Sequence, residues 1–399
     1  MRTKVVLLAL LLLPGCGVAD SHPTEQAAPP EKGFDYLYPD NPDSEKTPVS
    51  VPTETDGPWK LSHLMDHGGS DTLSHVVAAA PDDIWAFGRT ESWKGKPFAL
   101  RWNGDRWATS PLPKEAKGAV LDVAGSGPDD LWLLTGNTRN PTAFHRTGER
   151  WTIQDGLPYG TRFEVLDATH VWAYSPGAIQ SIFFYDGNGW KPAALPDGVG
   201  LKAFDATSPA DLWALGSVEN GGKTATGVYR SDGLGWTRVP LGDALPADDR
   251  DTYVDLELLL ATSDDDVWVI GNQVPRPEEE SEAEPVSVPV AAHWDGRSWH
   301  RIDVQRRWRP YQAVADGRGG VRILVRPNPG DPDAVAPTTT ILSLSADGTS
   351  STSAPEIFGG RVSLNALAAI SGTIWAVGAA YPPQVTMSAS TSVAYVWTP

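Results

Sequence analysis

Cysteine is almost missing from this chain, with Cys16 the one example in 399 residues. A single thiol cannot close an intrachain disulfide, so no covalent staple is expected in the fold. Basic charge is also short: 32 Lys+Arg stand against 50 Asp+Glu, a formal net charge of −18. A nucleic-acid binder needs a positive footprint to displace counterions from phosphates, so no nucleic-acid partner is expected. No stretch reaches eighteen apolar residues, so no transmembrane helix is expected. Methionine is scarce, at 3 residues, whereas there are 17 Trp, 39 Gly and 35 Pro. With 40% hydrophobic residues there is material for a large core. Aromatic strands punctuated by Gly and Pro turns point to an all-β chain.

The N-terminus addresses the compartment. Arg2 and Lys4 precede an apolar run from Val5 to Leu13, too short to span a bilayer as a mature helix. The run ends in Leu13-Pro14-Gly15-Cys16, which resembles the lipobox of bacterial lipoproteins. The resemblance implies a signal peptide over 1–15, cleavage before Cys16, and acylation (palmitate among the chains) of that thiol. It implies a protein lipid-anchored to the external face of the cell membrane in a bacterial envelope, and thus extracellular to the cytoplasm. Residues 16–56 follow as a Pro- and acid-rich segment with neither the helix nor the strand period. Such composition cannot bury enough apolar surface to offset its ordering entropy, so a disordered tether is expected. An aromatic cluster, Phe34-Asp35-Tyr36-Leu37-Tyr38, interrupts it.

Residues 57–399 are a repeat. Asp82-Asp83-Ile84-Trp85, Asp129-Asp130-Leu131-Trp132, Thr169-His170-Val171-Trp172, Ala210-Asp211-Leu212-Trp213, Asp265-Asp266-Val267-Trp268 and Gly372-Thr373-Ile374-Trp375 are copies of one signature. A seventh copy carries Arg322 where the others carry Trp. Each follows an apolar run such as His75–Ala80 or Ala119–Ala124. Five are followed by a turn that ends in a further Trp, as in Asp295-Gly296-Arg297-Ser298-Trp299. The period predicts four strands per copy: an inner strand, a Trp strand, a third strand, and a hairpin onto a fourth. Four strands every 40–55 residues is the β-propeller period. The expected fold is therefore an all-β, seven-bladed β-propeller of four-stranded blades. The last copy lacks a fourth strand, and Asp56 to His63 resembles one. An N-terminal strand is thus expected to complete the C-terminal blade and close the ring.

The Trp/Gly repeats are similar to those of bacterial propellers of the kelch and WD-repeat type. That resemblance implies fold far more than function, because propellers host many activities. Short Asp/Gly corners read as structural, whereas the other face carries variable segments, including 89–97, 137–142, 217–224, 272–289, 326–338 and 379–392. Inter-blade segments 242–251 and 305–309 join them. Fifteen of the Trp fit repeat positions; Trp93 and Trp308 do not, and both map to the variable face. Basic residues flank them: Arg89, Lys94 and Lys96 around Trp93, and Arg306, Arg307 and Arg309 around Trp308. Exposed Trp can stack on a sugar or anchor a protein contact, and nearby cations can hold an anionic group. These eight residues are the candidate ligand-binding set.

Catalytic patterns are sparse. No Gly-x-Ser-x-Gly, His-Glu-x-x-His or phosphate-binding Gly loop occurs, and no cofactor or metal is implied. His145 and His293 fall in repeat strands and read as packing residues. Two functions remain open. One is a monomeric binding module that presents its variable face to a protein or glycan ligand. The alternative is a carbohydrate-active enzyme, glycosidase or lyase, with carboxylates in the central funnel. The Glu-rich stretch 278–284 reads as a solvated loop.

Overall fold

The computed structural model describes residues 58–65, 71–90, 95–137, 139–157, 162–177, 182–220, 223–276, 286–304, 308–327, 339–355, 361–381 and 391–397. They form seven antiparallel four-stranded sheets. The first strand, β1 (Trp59–Met65), stands apart from its sequence neighbours. Blade 1 is β2 (Thr72–Ala80), β3 (Asp83–Arg89), β4 (Pro97–Trp102) and β5 (Trp107–Ser110); blade 2 is β6 (Ala119–Gly127), β7 (Asp130–Asn137), β8 (Asn140–Thr147) and β9 (Arg150–Gln154). Blade 3 is β10 (Arg162–Asp167), β11 (His170–Tyr174), β12 (Ile182–Tyr185) and β13 (Trp190–Pro192); blade 4 is β14 (Val199–Ser208), β15 (Asp211–Asn220), β16 (Lys223–Ser231) and β17 (Trp236–Val239). Blade 5 is β18 (Thr252–Ser263), β19 (Asp266–Pro275), β20 (Val288–Trp294) and β21 (Trp299–Ile302); blade 6 is β22 (Trp308–Ala315), β23 (Gly320–Pro327), β24 (Thr340–Ser345) and β25 (Ser350–Ser353). Blade 7 is β26 (Arg361–Ile370), β27 (Thr373–Tyr381) and β28 (Thr391–Trp397), completed by β1.

The seven-bladed expectation holds. Each blade's first strand touches the next around a ring, and β26 returns to β2. β1 pairs antiparallel with β28, placing Trp59 opposite Trp397 and Leu61 opposite Tyr395. Closure leaves none of these seven sheets as an open end of the stack.

Blade-on-blade packing supplies the core. One buried cluster combines Trp132 and Leu134 of blade 2 with Phe163, Val171 and Tyr185 of blade 3, and equivalent clusters fill the other seams. The second-strand Trp of one blade meets the fourth-strand Trp of the next edge-on. The pairs Trp85–Trp151, Trp132–Trp190, Trp213–Trp299 and Trp375–Trp107 have interplanar angles of 89°, 77°, 87° and 83°. Large aromatic area in the favourable T-shaped geometry is why the repeat carries Trp at both positions.

An Asp two residues before the second-strand Trp anchors blades 1, 2, 4 and 5; blades 3 and 7 carry His170 and Thr373 there instead. Asp130 Oδ1 accepts from Trp132 Nε1 at 3.2 Å and lies 2.7 Å from His145 Nε2, while His145 stacks on Trp132 with centroids 4.3 Å apart. Blade 5 repeats this with Asp266, Trp268 and His293. In blades 1 and 4 a guanidinium replaces the imidazole: Arg101 bonds Asp83 and lies over Trp85, and Arg230 bonds Asp211 and lies over Trp213. Both His145 and His293 therefore pack within blades, as their strand positions implied. In blade 6 the cation moves to the Trp position itself, and Arg322 lies 4.5 Å from the Trp397 ring of blade 7.

Corners follow the turn chemistry. Asp232 Oδ1 accepts the amides of Leu234 and Gly235, and Gly233 takes φ +86°, a conformation that favours glycine. Two segments expected as variable loops are strand instead. Pairing continues to Asn137↔Asn140 in blade 2 and to Asn220↔Lys223 in blade 4. Runs such as Thr135↔Thr142 and Val218↔Ala225 sustain the ladder, because Val and Thr suit strand geometry despite the polar composition.

Candidate functional site

Antiparallel order places the second-to-third-strand connections and the inter-blade connections on one face. The Asp/Gly corners lie on the other. The variable face is therefore where β3 and β19 end and where β18 and β22 begin.

Of the eight candidate ligand residues, Trp93, Lys94, Arg306 and Arg307 lie outside the described residues, as do Cys16, the Phe34–Tyr38 cluster and stretch 278–284. Arg89, half-buried, ends β3 opposite Pro97, and Lys96 is exposed beside it. Trp308 opens β22 and packs against the blade 5/6 core, its Nε1 buried without a hydrogen-bond acceptor. Arg309 Nε lies 3.8 Å from Glu257 Oε1. The Arg89 and Trp308 groups thus share a face but stand in blades 1 and 6, with blade 7 between them. Among the described members, Arg89 and Lys96 of blade 1 do not meet Trp308 and Arg309 of blade 6.

The variable face does carry cavities that the Trp bookkeeping missed. Between blades 4 and 5 a space of about 470 Å³ is walled by Val228, Val239, Leu241, Leu245, Val254 and Leu256, with Arg238 and Asp248 among its polar lining. A second of about 280 Å³ lies on the far side of Leu245, against Gln273, Val290, Ile302 and Val304. Leu245, which lines both, directly follows a short 3-10 turn, Gly242–Ala244. Asp248 Oδ1 accepts the Val254 amide at 2.8 Å, and Thr226 Oγ1 donates to the Val254 carbonyl at 3.2 Å, so the loop is tied to β18. The first volume lies in the range of small-ligand pockets, with apolar walls and few polar groups.

A second group of polar residues lines the inner strands of blades 1–4. His75 lies opposite Phe87, Asp122 opposite Leu134 and Arg162 opposite Tyr174, each level with the second residue beyond its blade's Trp. Glu164 lies opposite Trp172 and Asp205 opposite Trp213, one step lower. Equivalent positions elsewhere are mostly Ala, Leu or Val, so these polar residues depart from the repeat. Arg162 Nη1 sits 3.9 Å from Asp122 Oδ1. Asp122 Oδ2 accepts the Phe163 amide of blade 3 at 2.7 Å, and Asp205 Oδ2 accepts the Ala261 amide of blade 5 at 2.8 Å. Among the described residues, no hydrogen bond or ion pair reaches Glu164.

Their titration is shifted as this environment requires. Burial pushes the Asp122 carboxyl up to about 6, against the pull of Arg162 and the amides it accepts. Glu164 is raised well above the usual carboxylate range by burial and by the charges of Asp205 and Asp122. Burial likewise raises Asp205. His75 is lowered to about 4 by burial and the nearby Arg162, and Tyr174 is raised, chiefly by burial. The sequence held the signal, since Asp122 sits inside an otherwise apolar run and Arg162 and Glu164 flank Phe163. Without the ring, nothing showed that three strands so far apart in sequence converge.

No protein-family model and no curated relative matches the chain. Solved structures do resemble it. The β-propeller domain of the Trilobed protease from Pyrococcus furiosus superposes with a TM-score of 0.51 at 8% identity, covering 82% of this chain and 95% of that one. YCF48 from Cyanidioschyzon merolae gives 0.47 at 11%, covering 86% and 99%. The Aleuria aurantia lectin in complex with Fucalpha1-6GlcNAc gives 0.41 at 12%, covering 72% and 96%. At these identities the likeness establishes fold alone. The Pyrococcus domain is described as having an open velcro topology; here the β1–β28 pairing closes the ring.

Proposed function

We propose that this protein is a binding propeller, anchored through lipidated Cys16 on the outer side of the cytoplasmic membrane. It presents its variable face to a protein or glycan ligand and acts as a monomer. The observation that carries this reading is the pair of cavities flanking Leu245 on that face. Mostly apolar walls with Arg238 and Asp248 in the lining suit an apolar or sugar-ring anchor with polar groups at its edge. Trp93 and Trp308, with Arg89, Lys94, Lys96, Arg306, Arg307 and Arg309, supply further anchors and positive polarity around the same face. The test is capture of glycans on an array, and of envelope proteins by crosslinking, with the full-length protein. Trp308→Ala and Leu245→Ala, each checked for retained β-sheet circular dichroism, are expected to lose capture. Retention by both variants would remove this reading.

One observation favours the enzyme alternative. Asp122, Glu164 and Asp205 occupy non-repeat positions around the axis, and a glycosidase needs a raised carboxyl as acid beside an ionised one. Against it, Asp122 and Asp205 are already held by backbone amides. Turnover in a glycosidase or lyase screen, lost in Glu164→Gln, would establish the alternative.

A further inference from the structure

The chemistry of the two cavities beside Leu245 narrows what they can hold. Among the described residues, no aromatic ring lines either space, so a sugar would find no face to stack on. Most of the polar lining is already engaged within the protein. Thr226 Oγ1 and Asp248 Oδ1 hold the Val254 backbone, Gln273 Nε2 donates to Thr252 Oγ1 at 2.9 Å, and Arg301 pairs with Asp303 at 3.1 Å. The many hydroxyls of a glycan would therefore enter largely unpartnered, at a desolvation cost for each. Two polar groups remain without a partner among the described residues, the exposed Arg238 guanidinium and the second oxygen of Asp248.

Charge around the cavities has one sign in excess. The connection 242–251 carries Asp243, Asp248, Asp249 and Asp251 against Arg250 alone. Asp243 and Asp251 are exposed, and among the described residues their carboxylates make no ion pair. The connection from Arg276 to Val288, whose flanking strands line the smaller cavity, adds five Glu and no Lys or Arg. Nearby cations offset only part of this, since Arg276 lies over Tyr253 and Arg301 is taken by Asp303. We propose that the ligand of these cavities is an extended basic peptide segment, with apolar side chains two residues apart and Lys or Arg beside them; this rests on the reading of the variable face as a binding surface. Side chains i and i+2 of an extended chain project the same way, about 7 Å apart. That spacing suits two pockets with a single shared wall residue, Leu245. The larger, of about 470 Å³, has room for an aromatic side chain, and the smaller, of about 280 Å³, for an aliphatic one. Val288, 48% exposed in the lining of the smaller cavity, extends its apolar surface outward. The peptide backbone supplies both a carbonyl for Arg238 and an N–H for the second oxygen of Asp248. Basic flanks meet the acidic rim, an exposed and salt-screened attraction that selects the partner and speeds encounter.

The test is selection of a random dodecapeptide display library on the full-length protein, followed by fluorescence-anisotropy titration of the selected peptides. The selected sequences are expected to carry apolar residues two apart, flanked by Lys or Arg. Their affinity is expected to fall about tenfold or more in Ala247→Trp, which fills the larger cavity from an exposed position. It is expected to fall severalfold in the double variant Asp243→Asn, Asp251→Asn, which removes rim charge and leaves the walls intact. Raising salt from about 50 to 500 mM is expected to weaken wild-type binding more than binding by the double variant. Selection of acidic peptides, of apolar residues without the two-residue spacing, or of nothing overturns the proposal, as does unchanged affinity in Ala247→Trp. If Ala247→Trp fails to fold, the rim variant and its salt dependence decide the matter alone. Glycan capture that Ala247→Trp abolishes, with no peptide selected, overturns this inference and leaves the binding face standing; no capture of either kind removes both.

Discussion

Asp130 takes hydrogen bonds from Ser126, Trp132 and His145 at once, and blade 5 repeats the Trp–His contact beside it. Asp130→Ala leaves the buried Trp132 and His145 donors without an acceptor, and we expect a loss of about 1–3 kcal/mol in urea unfolding. Trp132→Ala removes the ring from the blade 2/3 seam and is expected to cost about 3–5 kcal/mol. The pH dependence divides by residue. Asp122, raised to about 6 from the ordinary 3.8, binds more protons folded than unfolded, so its contribution is full only below the ordinary carboxylate range and is lost as pH rises from there to about 6. Glu164 and Asp205, raised as well, act in the same direction. His75, lowered to about 4, acts oppositely, its contribution falling away as pH drops from about 6.5 to 4. Asp266, lowered first by its bond from His293, supports the fold above the ordinary carboxylate range and loses that support in acid. We therefore expect Glu164→Gln to raise the midpoint of thermal unfolding at pH 7.5 and to leave it little changed at pH 5. A lower midpoint at pH 7.5 would contradict this assignment.

Among the elements, β1 has the clearest mechanical duty. It is the fourth strand of the last blade, and Trp59 also donates Nε1 to Ser353 of blade 6 at 3.1 Å. Replacing Leu61 and Leu64, both buried in the blade 6/7 seam, with Asp is expected to open the ring. The checks are a lower, broader unfolding transition and a larger hydrodynamic radius; an unchanged transition would separate closure from stability. This strand was legible before any coordinates, because a four-strand period with one strand missing at the end requires one at the start. The repeat Trp positions were equally legible, since a large ring recurring at one place in successive copies must fill a seam. The polar axial cluster was not, because Asp122, Glu164 and Asp205 come from three copies and only the circular arrangement brings them together. The cavities at Leu245 were hidden for a related reason. They are made of ordinary Val and Leu side chains whose role depends on a single irregular turn at Gly242–Ala244. Conversely, the apparent loops at 137–142 and 217–224 are strand, since local polarity does not prevent a ladder from continuing.

At the scale of the molecule, a closed ring with a net charge of −18 is a stiff platform, and its two faces differ in kind. One is made of short corners; the other holds the longer connections and both cavities. The proposed lipid anchor belongs to this scale too. Cys16→Ser is expected to abolish metabolic labelling with palmitate and to move the protein from membrane pellet to supernatant; continued labelling would remove the lipid anchor from the account. The most direct test of the central claim, that ligand is met on the variable face, uses a photocrosslinking amino acid, p-benzoylphenylalanine, at one position on each face of the otherwise native protein. Ala247 lines the larger cavity, and Leu234 is 95% exposed on a corner of the opposite face. In intact cells we expect a discrete adduct from position 247, competed by unlabelled wild-type protein, and none from position 234. Adducts from position 234 alone, or none from either, would contradict the account.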